Sequence, residues 1–176
     1  MKRIIIQKLI LVILLGVIVT LSANEYLIPE LEPLRPFLNT TWKGEFTKSE
    51  NPASDIQKWN RILNGTHIRI MHSLNNGEYG GESIIYWDDK KNKLAYYYFT
   101  TGGFLTKGTM QIEDGKVVSQ EKVIGDANGI ENVKNITEIL TDGSLRSTSK
   151  YLKNGKWIEG HEIIYHQDPE AELIFK

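Results

Sequence analysis

The 176-residue chain has no cysteine. That excludes a disulfide scaffold, a thiol nucleophile, a Cys-ligated zinc site and a lipid-anchored cysteine. It has no surplus of positive charge either: 21 basic residues stand against 22 acidic ones, a formal net charge of −1. A basic groove is therefore not the default, and no nucleic-acid partner is expected. Proline is scarce, and three of the five residues (Pro29, Pro33 and Pro36) fall in one short stretch. Long apolar runs are scarcer still: residues 9–21 form one, and no later segment is long and apolar enough to span a bilayer.

What is present begins with that run. Met1-Lys2-Arg3 is a positive start, residues 9–21 an apolar core, and Thr20, Ser22 and Ala23 are small residues before the polar Asn24-Glu25. This order predicts a secretory signal peptide over 1–23, cut after Ala23 or Ser22, and a secreted or periplasmic domain. An uncleaved anchor is the alternative; once the leader is cleaved, no stable membrane insertion is expected. Without residues 1–23 the chain has 18 basic and 22 acidic residues, a net charge of −4.

Residues 24–41 form a separate N-terminal segment. Leu31, Leu34 and Leu38 repeat at helical spacing and predict a short helix, kept short by Pro33 and Pro36. From Trp42 onward the period changes. Turn signals recur every 10–14 residues, including Asn64-Gly65, Asn76-Gly77, Asp114-Gly115, Asp142-Gly143 and Asn154-Gly155. Between them lie β-branched and aromatic runs: 66–74, 82–87, 93–101, 117–124, 133–140, 145–152 and 156–165. With 42–48, 56–63 and 104–112 they make about ten strands. A meander of this size removes its unpaired edges by closing. The expectation is an all-β fold, an antiparallel up-and-down β-barrel over 42–176, with an open sandwich as the alternative. The glycines of Glu78-Tyr79-Gly80-Gly81-Glu82 suggest a strand bend or bulge.

The opening of this region, Leu34-Arg35-Pro36-Phe37-Leu38-Asn39-Thr40-Thr41-Trp42-Lys43-Gly44-Glu45-Phe46, places a short apolar helix before a Trp-x-Gly on the first strand. It resembles the start of lipocalin-like (calycin superfamily) barrels of bacterial exported proteins, and more distantly the nitrobindin-type ten-stranded barrels. The nitrobindin pattern is Gly-x-Trp-x-Gly-x-Gly; here its places hold Thr40, Trp42, Gly44 and Phe46, so two of three glycines are absent. The resemblance implies a closed barrel around a small-molecule site. No cofactor is assigned. Trp42 reads as architecture, a ring closing one barrel end beneath the helix.

The candidate site residues are His72, Tyr97, Glu121, Trp157 and His161. His72 shares a strand face with Ile68, Ile70 and Leu74, and His161 with Trp157, Ile163 and Tyr165; each is one polar group on an apolar face, as in ligand pockets. The pairs His67/His72 and His161/His166 are spaced i, i+5, which sends the partners to opposite faces of a strand, so no metal site is assigned. Glu82, Glu121, Glu138 and Glu162 also alternate with apolar residues, and buried acids need partners. In Tyr96-Tyr97-Tyr98-Phe99, Tyr96 and Tyr98 face one way and Tyr97 and Phe99 the other, and the run offers stacking to a flat ligand or a sugar. No nucleophile elbow occurs and no catalytic residue is assigned. The expected function is binding of a small apolar or amphipathic molecule. The alternatives are a barrel enzyme using Glu121 or His161 as acid or base, and an envelope interaction module without ligand.

Overall fold

A computed structural model of the chain describes residues 26–48 and 53–176; the leader lies outside them. The first element is a 3-10 helix, Pro29–Phe37. Pro33 and Pro36 lack the N–H donors that an α-helix needs, which keeps the turn tight and short. Leu31, Leu34 and Phe37 form its buried face.

Ten strands follow: β1 (Thr41–Phe46), β2 (Ser54–Ile62), β3 (His67–Leu74), β4 (Tyr79–Asp88), β5 (Lys93–Thr100), β6 (Leu105–Glu113), β7 (Lys116–Ile124), β8 (Ile130–Ile139), β9 (Leu145–Lys153) and β10 (Lys156–Gln167). Each pairs antiparallel with the next, and β1 pairs with β10 to close the barrel, with Trp42 opposite Gln167 and Phe46 opposite Ile163. The architecture is thus the closed up-and-down barrel expected from the meander, and fits a calycin-like fold in general.

The turn chemistry explains the connections. At Asp114-Gly115 φ is +49° and +77°, and at Asn154-Gly155 +51° and +70°. These two-residue links join the pairs Glu113–Lys116 and Lys153–Lys156. Both central residues sit at positive φ, the primed geometry whose twist matches the flanking strands.

The register departs from expectation at two places. Gly80 and Gly81 make no bulge: they pair in register with Ser73 and His72 of β3, and Gly81 also with Thr100 of β5. They make room instead. A Cβ on Gly81 would lie 2.4 Å from the Tyr98 ring, and one on Gly80 would lie 3.0 Å from the Phe175 ring. The register shifts occur in β10, between Glu159 and Glu162, and in β8, between Ile130 and Asn132.

The helix closes the end where β1 begins and β10 finishes. Leu31, Leu34 and Trp42 have no exposed surface. Trp42 Nε1 donates to the Phe37 carbonyl at 3.2 Å, and Phe37 stacks on Trp59 with centroids 5.0 Å apart. Backbone bonds from Ile28 N–H to the Gly65 carbonyl (3.0 Å) and from Asn39 N–H to the Trp59 carbonyl (3.1 Å) tie the segment to β2 and its turn. Burying each large apolar side chain stabilises by about 1.5–3 kcal/mol, so this floor is a principal apolar core. No helix among the described residues is long and apolar enough to cross a membrane.

Candidate functional site

Above that floor the barrel encloses a cavity of about 560 Å³, within the range of small-molecule sites. Its lining runs from Trp59, Met110 and Ile163 near the helix to Phe104, Ala127 and Asn128 in the turns at the opposite end. A second hollow of about 440 Å³ lies against the β7–β8 hairpin and shares Val123, Ala127 and Ile130 with the lumen wall.

Period-2 alternation decides what faces inward. On β3, Ile70, His72 and Leu74 point in; on β5, Tyr96 and Tyr98; on β7, Val117, Ser119, Glu121 and Val123. Three inward tyrosines each lie against a glycine of a neighbouring strand. A Cβ at Gly44 would come within 2.4 Å of Tyr165, one at Gly81 within 2.4 Å of Tyr98, and one at Gly108 within 2.7 Å of Tyr96. The glycines let large rings fold over the wall, as when aromatic residues cover strand glycines.

A continuous polar chain crosses the lumen. Tyr165 Oη donates to Asp55 Oδ2 at 2.9 Å. Asp55 Oδ1 lies 2.8 Å from His72 Nδ1, and His72 Nε2 lies 2.6 Å from Tyr98 Oη. Tyr98 and Tyr79 hydroxyls are 3.0 Å apart. Burial pushes the Tyr98 and Tyr165 phenols well above their ordinary range, so they serve as hydroxyl donors and not as phenolates. Tyr98 has one proton and two neighbours to share it with, His72 and Tyr79. Hydrogen bonds thus link Tyr79 to Tyr165 through Tyr98, His72 and Asp55 along the lumen wall.

Two further groups stand apart from that chain. Glu121 Oε2 accepts from Thr106 Oγ1 at 2.5 Å. Burial raises its carboxyl above the ordinary 4.5, against the lowering effect of hydrogen bonds from Thr106 and Tyr96. His161 Nδ1 lies 2.6 Å from Tyr151 Oη. Burial lowers the His161 imidazole from 6.5 and favours its neutral form. With Tyr151 held as a phenol by burial, its hydroxyl donates to Nδ1 and leaves Nε2 as the proton-bearing nitrogen.

Of the five residues singled out by sequence, the structure brings His72, Glu121 and His161 to one lumen. Tyr97 and Trp157 do not line it. Tyr97 is on the outer wall, stacked on Tyr86 (6.5 Å) and Phe99 (6.2 Å), with Lys107 Nζ 5.2 Å from its centroid. Tyr96 and Tyr98, one residue to either side, take the inner face. Trp157 is 41 % exposed with Lys134 Nζ 4.5 Å from its ring. The extra residue in β10 between Glu159 and Glu162 reverses the parity, so Trp157 does not share the face of Ile163 and Tyr165.

The histidine pairs do separate: His72 faces the lumen while His67 stacks on Tyr86 of the outer wall. Among the described residues no group of three or more His, Asp or Glu could hold a metal ion. The acids separate as well. Glu138 pairs with Lys116 at 3.0 Å and with Arg146, and Glu162 with Lys48 at 3.2 Å. Glu82 alternates with inward Ser83 on β4 and is paired across from the outward Phe99.

Sequence reasoning missed Asp55, Tyr79, Tyr98, Tyr151 and Tyr165. Asp55 alternates with Gln57 and Trp59 on a buried face, but its link to His72 is diagonal across β2 and β3 and depends on register. The strand glycines Gly44, Gly81 and Gly108 were the available sign of the inward tyrosines. Comparison with known proteins is negative: no protein-family model matches the chain, and neither does any curated protein.

Proposed function

We propose that the chain is a lipocalin-like carrier, exported through its N-terminal leader, that holds one small amphipathic molecule in the barrel lumen. The observation that carries this reading is the cavity itself. Roughly 560 Å³ of space is enclosed by aromatic and aliphatic side chains together with a few convergent polar groups. The ligand's apolar body packs on Ile70, Met110, Val123 and Ile163, and its polar group meets the side chains around Tyr98 and Glu121. The N-terminal helix and Trp42 act as a fixed floor, so ligand enters at the turns of the opposite end.

Native mass spectrometry tests it. The purified domain is incubated with a library of lipids, heme and aromatic compounds, beside a Ser83→Trp variant that fills the lumen. The expected result is a one-to-one adduct with the parent protein, lost in the variant. Adducts that persist in Ser83→Trp, or no adduct with any compound, refute the carrier reading. For export, the expected mass is that of a chain beginning after Ser22 or Ala23; a full-length chain left in the cytoplasm contradicts it.

One observation favours a second reading, a barrel enzyme. Glu121, with its raised carboxyl, and the neutral His161 line the same cavity, an acid and a base in one chamber. Incubation with the same library should then yield products of altered mass that disappear in Glu121→Gln and His161→Gln.

A further inference from the structure

The lumen is lopsided in charge. Its lining includes two carboxyl side chains, Asp55 and Glu121, two imidazoles, His72 and His161, and five phenols, but no lysine or arginine. Asp55 is already engaged on both oxygens, by Tyr165 and His72. Glu121 is different. The groups that act on its carboxyl are the neutral hydroxyls of Thr106 and Tyr96, with no basic side chain among them. By contrast, the glutamates in the described ion pairs (Glu32, Glu138, Glu159 and Glu162) lie on the outside of the barrel beside a lysine or arginine.

The surroundings of Glu121 add a second feature. Tyr79, Tyr96, Tyr98 and Tyr151 line the same cavity, and the Tyr96 hydroxyl hydrogen-bonds the Glu121 carboxyl. A carboxyl in a cavity lined by tyrosines matches the demands of an ammonium group: the carboxylate offers a counter-charge, and aromatic rings attract cations. A ligand carboxylate would meet the reverse, two acids and no strong cation, and a buried charge without a partner is costly.

We infer that the lumen selects a ligand with a cationic head group, an alkyl- or aryl-ammonium compound whose nitrogen docks on Glu121 within the tyrosine-lined cavity. This rests on the carrier reading and names its ligand class. The lone acid is then one half of an ion pair whose other half the ligand brings. The apolar wall above and below Glu121 takes the hydrocarbon.

Calorimetric titration with three amphiphiles built on eight-carbon chains, each below its micelle concentration, tests the inference: octyltrimethylammonium, octanol and octanoate. The permanent charge of the first removes ligand protonation from the comparison. The expected result is one-to-one binding of octyltrimethylammonium at least about tenfold tighter than octanol or octanoate, because the other two leave the buried carboxyl without a counter-charge. Glu121→Gln should weaken the ammonium compound by about tenfold or more and leave octanol within about twofold. If that variant fails to fold, as judged by circular dichroism, Glu121→Met of similar volume replaces it. Octanoate or octanol binding as tightly as the ammonium compound overturns the inference while the carrier reading stands. So does an unchanged ammonium affinity in the Glu121 variants. Ammonium binding that survives Ser83→Trp overturns both. If none of the three binds, the inference is overturned, and the wider library decides the carrier reading.

Discussion

Glu121 and Glu138 sit on adjacent strands, β7 and β8, and both alternate with β-branched residues, yet the barrel treats them in opposite ways. Glu138 is on the outer wall, where Arg146 and Lys116 reach it and lower its carboxyl through hydrogen bonds. Glu121 is inside, where burial raises its carboxyl and only hydroxyls answer it. The two tryptophans Trp42 and Trp157 show the same division. One is sealed into the floor with its indole N–H satisfied, and the other lies outside under a lysine. In these two pairs the outer residue finds a partner of opposite charge or an aromatic contact within the chain, whereas Glu121 in the lumen meets only hydroxyls.

The strongest test of this division is at the tryptophans. Trp42→Ala should cost about 3–5 kcal/mol, the range for emptying a packed core position. Trp157→Ala should cost under about 1 kcal/mol, since it loses one exposed cation–π contact. Urea denaturation of both variants measures the gap. Equal losses would mean that the floor is not where the barrel's stability resides.

A smaller gap is expected between the acids of the two faces. Asp55→Ala leaves the buried Tyr165 hydroxyl and His72 without their acceptor and should cost about 2–3 kcal/mol. Glu138→Ala should cost about 0.5 kcal/mol, and less in high salt, as for exposed ion pairs. Chemical denaturation at two ionic strengths separates them.

Gly81→Ala probes how the lumen is assembled. The added Cβ meets the Tyr98 ring and the Phe99 carbonyl, and overpacking of this kind costs about 1–3 kcal/mol. The tyrosine must move, so the contact between Tyr98 and His72 should be lost, visible as a changed His72 imidazole resonance by NMR.

The least effect is in pH dependence. Glu121 has a folded-state pKa above its ordinary 4.5, so folding favours its protonated form. Its contribution is full below pH 4.5 and is lost as pH rises through the folded value. His161, lowered from 6.5, acts the other way and contributes above pH 6.5. Ligand-free Glu121→Gln should therefore gain melting temperature on the parent protein as pH rises from 4 to 7. A constant difference across that range would contradict a strained acid in the lumen.

Much of the barrel was legible because its signals are local. Asp-Gly and Asn-Gly pairs need positive φ and mark hairpins wherever they fall between alternating runs, and the Trp42-x-Gly44 start announces the floor. The site was legible only in part, because parity along one strand assigns faces relative to one another and not to the lumen. In Tyr96-Tyr97-Tyr98 the alternation is plain, but nothing in the run says which face is inner. In β10 the parity itself fails: one inserted residue between Glu159 and Glu162 turns Trp157 outward while His161 still reaches the lumen. The Asp55–His72–Tyr98 chain depends on four strands in register, β2 to β5, with Gly81 as the gap through which the Tyr98 ring reaches His72. That information lies between strands and not along any of them.

Tyrosine offers the most direct measurement, because five of the eight residues (Tyr79, Tyr96, Tyr98, Tyr151 and Tyr165) line the lumen and Tyr26, Tyr86 and Tyr97 do not. With ring-labelled tyrosine, NMR titration with octyltrimethylammonium should shift the resonances of the lumen five and leave the other three in place. Shifts confined to Tyr86 and Tyr97, with the lumen set unmoved, would put the binding surface on the outer wall and contradict a ligand site in the lumen.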